Sequence, residues 1–82
     1  MGSTTKGRTA RLVRLDRSGN TELAAWREDD RASYEQASAI FREQLAGGYM
    51  GIAKLPDDTY EQVKELPVHV DLVMLRRPIA GG

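Results

Sequence analysis

Only one stretch of this 82-residue chain carries a helical period, and the segments around it alternate with a period of two. Ala37, Ile40, Phe41, Gln44 and Leu45 fall on one stripe, while Glu35, Ser38, Arg42 and Glu43 lie away from it. Asp29 and Asp30 offer N-caps, Ser33-x-x-Gln36 offers a capping box one turn later, and Gly47-Gly48 stops the helix. The spacing predicts one amphipathic helix of about four turns. Such a helix has to bury its stripe, and in a chain this short its cover is a sheet made from the remaining segments.

Those segments read as strands. Thr9 to Asp16 sets Arg11, Val13 and Leu15 on one side and Ala10, Leu12 and Arg14 on the other, as suits a strand with neighbours on both edges. Arg17-Ser18-Gly19-Asn20 supplies turn chemistry, and Thr21 to Arg27 resumes the alternation, so the two runs predict a β-hairpin. After the helix, Tyr49 to Leu55 is a strand in which Met50 and Ile52 share a face, and Pro56-Asp57-Asp58 is a turn. Thr59 to Leu66 is expected to pair back as a mostly exposed edge. Pro67 to Val70 bends the chain, and Asp71 to Arg77 is apolar on both faces, the pattern of a strand flanked by others and covered by the helix. The order predicts an α+β domain over residues 8–77, a four- or five-stranded mixed sheet with one helix across it. Residues 1–7 and 78–82 are expected to be flexible tails.

Size and composition narrow the function. A chain of this length buries only roughly 60–65% of the surface it exposes when unfolded, so one small core is all it builds. With no Cys there is no disulfide, no thiolate nucleophile and no Cys-based metal site, which suits a reducing setting. Twelve Lys/Arg balance twelve Asp/Glu, so no net field gathers nucleic acid or anionic lipid. No apolar run approaches the roughly 20 residues a bilayer needs, and Met1 to Arg14 holds no signal-peptide core. A cytoplasmic protein without membrane contact is the expectation.

Catalytic constellations are missing from the pattern. His69 is the single histidine, and no carboxylates are spaced to join it on a metal. Glu28-Asp29-Asp30 and Asp57-Asp58 sit at a helix start and in a turn, where backbone capping explains them. No serine has a nucleophile-elbow context, and no phosphate-cradling loop is present. Lys6, Arg8, Arg11, Arg14 and Arg17 make one end basic, but a period of three scatters them over both faces of a strand. The five aromatics, Trp26, Tyr34, Phe41, Tyr49 and Tyr60, do not interleave with them as a nucleic-acid stacking platform requires. The chain is therefore expected to be no enzyme and to hold no bound cofactor.

The segment after the last strand is different in kind. Arg76-Arg77-Pro78-Ile79-Ala80-Gly81-Gly82 follows it with no cap or helix, and Gly-Gly can thread a narrow channel where larger residues clash. The order of elements together with this ending resembles the β-grasp fold of ubiquitin-like proteins, in which the last strand runs mid-sheet beside the first. Asp71-Leu-Val-Met-Leu-Arg-Arg-Pro78-Ile-Ala-Gly-Gly82 is similar to the end of the small sulfur-carrier subunit of molybdopterin synthase. Leu75, Arg76 and Arg77 replace the aromatics and second proline of those carriers, and the Gly48 to Leu66 stretch lacks their longer insertion. The resemblance implies that Gly81 and Gly82 are the reactive end and Arg76, Arg77, Pro78, Ile79 and Ala80 the stalk that threads into the activating enzyme. It implies as partners an ATP-using, E1-like adenylating enzyme and a conjugating enzyme or target protein, for conjugation or sulfur transfer, with ATP used by the partner. Two other classes stay open: a non-catalytic interaction or structural module, such as a viral accessory protein, and a small nucleic-acid-binding domain.

Overall fold

The structure is a computed structural model and describes residues 9–78. The stretch 1–7 read as an N-terminal tail, the basic residues Lys6 and Arg8, and the residues Ile79, Ala80, Gly81 and Gly82 lie outside the described residues. In chain order the elements are β1 Thr9–Asp16, β2 Gly19–Arg27, α1 Arg31–Ala46, β3 Met50–Lys54, β4 Tyr60–Val63 and β5 Leu72–Arg76. The strands form one five-stranded sheet in the order β2-β1-β5-β3-β4. The central pair, β1 and β5, is parallel, with Leu12 beside Val73 and Arg14 beside Leu75, and every other pairing is antiparallel. The molecule is α+β, with one helix packed on a mixed sheet.

The hairpin is tighter than its sequence suggests. Asp16 pairs with Gly19, leaving Arg17-Ser18 as a two-residue loop, so β2 starts two residues earlier than the predicted Thr21. Gly19 has φ 118°, a conformation open to glycine at little steric cost, and Asp16 Oδ1 accepts from Ser18 N at 3.0 Å and from Ser18 Oγ at 2.8 Å. The register then slips between Leu12 and Val13: Leu12 pairs with Ala24 but Val13 with Glu22, so Leu23 is the extra residue of a bulge. The slip lets Ala24 and Trp26 sit on the helix side, opposite Leu12 and Ala10, while Glu22 comes to lie beside Val13.

Asp30 caps α1, its carboxylate accepting from Ser33 N at 3.2 Å. Ser33 is thus the third helical residue and not the cap. Its hydroxyl donates to the Asp30 carbonyl at 2.8 Å and accepts from Arg27 N at 3.0 Å, which ties the end of β2 to the start of the helix. The buried stripe is Ala37, Ser38 and Phe41, with Tyr34, Ile40 and Leu45 packed at its margin. Ser38, placed off the stripe by the sequence pattern, is 7% exposed. The stripe turns toward Ser38 because Tyr34 is drawn inward, its hydroxyl donating to the Leu66 carbonyl at 2.6 Å.

On the sheet side the helix meets Leu12, Trp26, Ala53, Val73 and Leu75, all fully or almost fully buried. Gly51 lies under the Phe41 ring so closely that a Cβ there would stand 2.5 Å from Phe41 Cε1. Small residues at 51 and 53 are what let the helix approach β3. β4 is shorter than the predicted run from Thr59 to Leu66. It ends at Val63 because Leu66 turns into the core at 3% exposure and its carbonyl is taken by Tyr34.

Candidate functional site

One helix covers one face of a sheet, and the other face here is uncovered among the described residues. Alternation places Arg11, Val13 and Leu15 of β1, Leu72 and Met74 of β5, and Met50 and Ile52 of β3 on that face. Val13, Met74 and Ile52 stand side by side across three strands, and Arg11, Leu72 and Lys54 form the adjoining row. All of the apolar members are half-buried by one another and leave a shallow groove of about 340 Å³ over Val13, Leu15, Leu72 and Met74. Charged groups rim the band. Arg11 pairs with Glu22 at 3.8 Å and Lys54 with Asp58 at 3.5 Å, both exposed pairs of small energetic worth.

No motif marks this groove, yet its signal is in the sequence, where a sheet face is the expected docking surface for an adenylating enzyme. β1, β3 and β5 each carry apolar residues at both alternating phases, and one helix can bury only one of the two.

At the end of β5 the residues expected to form a threading stalk divide. Arg76 is the last residue of the strand and pairs with Met50, so it belongs to the sheet. The Arg77 guanidinium lies 4.9 Å from the centroid of the Tyr49 ring, and that of Arg14 lies 5.8 Å from the same ring. Pro78 follows, exposed, and Ile79 to Gly82 are outside the described residues. Arg76 thus belongs to β5, and Arg77 lies just beyond it against Tyr49.

The remaining candidates stay apart. Arg11 and Arg14 occupy opposite faces of β1, each beside a carboxylate, Glu22 for the first and Asp16 at 3.7 Å for the second. His69 Nδ1 faces the Glu28 carboxylate in an exposed contact that links the bend before β5 to the residue after β2. Among the described residues no three His, Asp or Glu side chains are grouped as a metal site. No described helix is long and apolar enough to cross a membrane. No protein-family model, curated protein or solved structure matches the chain.

Proposed function

We propose that the domain is β-grasp-like and acts as a ubiquitin-like modifier or carrier: the substrate of an E1-like adenylating enzyme that activates the Gly82 carboxylate for conjugation or sulfur transfer. The observation that carries this reading is the topology, in which the last strand runs parallel to the first in the middle of the sheet. A chain leaving a central strand starts beside the open apolar face, so a partner seated on that face would have Gly81 and Gly82 within reach of its nucleotide site. Activation would join the Gly82 carboxylate to the AMP moiety of ATP with release of pyrophosphate. A thiol or sulfur donor then displaces AMP to give a thioester or thiocarboxylate. The side chains of this domain supply none of that chemistry. They supply the docking surface.

Deleting Gly81 and Gly82 tests the proposal. The shortened protein is expected to keep its fold and to lose every ATP-dependent adduct that the full chain forms in extract from its own cells; adducts that persist without the two glycines would refute it.

The apolar groove also supports a plain interaction module, because it requires nothing of the tail. In that case partner binding survives deletion of the glycines and is lost when Met74 is changed to Glu.

A further inference from the structure

On the helix side, away from the open sheet face, a cleft of about 330 Å³ lies between α1 and the chain after β4. Tyr34, Ser38, Arg42, Lys64 and Glu65 line it. Ser38 is the one polar side chain buried with the core among the described residues, and it sits at a helix position that Ala would fill without cost. A serine inside a helix commonly bonds back to the carbonyl four residues earlier, but its hydroxyl has no hydrogen-bond partner here among the described residues. Arg42 is one turn further along the same helix and Lys64 is across the cleft, and neither has an ion-pair partner among the described residues. The Tyr34 hydroxyl is already committed as donor to Leu66, which leaves three free donors lining one opening: a guanidinium, an ammonium and the hydroxyl of Ser38, whose oxygen is not among the buried unpartnered atoms and so is open to the cleft.

We infer that this cleft binds an oxyanion, the phosphate group of a small phosphomonoester or inorganic phosphate itself. Arg42 and Lys64 supply the charge, and the Ser38 hydroxyl fixes the position of one oxygen from the helix side of the cleft. Glu65 opposes the anion from the rim and limits affinity. The site is independent of Gly81 and Gly82 and of the role proposed for them.

Amide NMR of the full chain tests it, with titrations of inorganic phosphate and of glycerol phosphate at fixed ionic strength, chloride balancing the salt. Saturable shifts confined to Ser38, Arg42, Lys64 and Glu65 are expected. Tighter binding of the ester assigns the cleft to a phosphomonoester, and equal binding assigns it to phosphate. Arg42→Gln with Lys64→Gln, two surface changes that leave the fold intact, should weaken binding by about tenfold or more. Ser38→Ala should weaken it by about threefold while raising the melting temperature, and Glu65→Gln should tighten it. Shifts that do not saturate, that spread over other basic residues, or that survive the double substitution with the same dissociation constant would overturn the assignment, as would an unchanged constant in Ser38→Ala.

Discussion

Asp16 and Asp57 perform the same task in two turns. The Ser18 hydroxyl, donating to the Asp16 carboxylate, is the main cause that holds this group below its ordinary 3.8, with the Ser18 amide and Arg14 acting in the same direction. Thr59 lowers Asp57 likewise, its hydroxyl donating at 2.6 Å and its amide at 3.1 Å. Because both values are depressed in the folded state, the stabilisation they give is complete above 3.8 and is lost as pH falls through the lowered folded values. Amide shifts of Ser18 and Thr59 followed through an acid titration should therefore show midpoints below 3.8, and midpoints at or above it would contradict the hydrogen bonds. In the core, the Phe41 ring over Gly51 makes both residues sensitive in opposite ways. Phe41→Ala should cost about 3–5 kcal/mol by chemical denaturation. Gly51→Ala should cost about 1–3 kcal/mol by overpacking, and Phe41→Leu in the same chain should return part of it. A Gly51→Ala variant as stable as the parent would show that the helix does not lie where the structure has it. Trp26 is 1% exposed with Nε1 lacking an acceptor among the described residues, so Trp26→Phe should cost far less than Trp26→Ala.

At the scale of elements, the cap and the stripe behave differently under a reading of sequence. Asp30→Ala should lower stability by about 1 kcal/mol, since the side chain satisfies one amide of the first turn. The helix is legible from the period of its apolar residues, and the final strand from an unbroken apolar run, Leu72 to Leu75, too short for a helix. Polarity points Ser38 outward, whereas the decisive event is a contact between two residues thirty-two apart in sequence, the Tyr34 hydroxyl and the Leu66 carbonyl. That same bond marks the end of β4, which alternation alone extends three residues too far, to Leu66. Tyr34→Phe should cost about 1–3 kcal/mol, because the Leu66 carbonyl then has to find another donor. The bulge at Leu23 has no signature in composition either. It arises where a hairpin fixed by a two-residue loop at one end must also place Trp26 on the helix side at the other. β3 was found, but its helix-facing side, Gly51 and Ala53, is defined by what is small and not by what is apolar.

For the molecule as a whole, fold class followed from counting: one helical segment and five extended ones leave a single sheet with one face covered. The same count implies an uncovered apolar face, so the groove over Val13, Leu15, Leu72 and Met74 was present in the alternation, although chemical motifs drew attention to Gly81 and Gly82. Those two classes of signal have different origins. A docking surface emerges from register across strands far apart in sequence, whereas a reactive end is a matter of a few adjacent residues. Met74→Glu should leave the helix-packed core intact, with far-UV circular dichroism unchanged, and abolish capture by any partner that seats on the sheet. Loss of folding in that variant would mean that the open face stabilises the monomer in its own right. The proposed function turns on the chemical state of Gly82. Mass spectrometry of N-terminally tagged protein recovered from its own cells reads that state directly. A free Gly82 carboxylate accompanied by a thiocarboxylate, an adenylate-derived adduct, or a branched peptide joining Gly82 to a lysine is the predicted result. Finding Gly82 only as an unmodified carboxylate, in cells where the pathway is active, or only inside a longer chain, would contradict it.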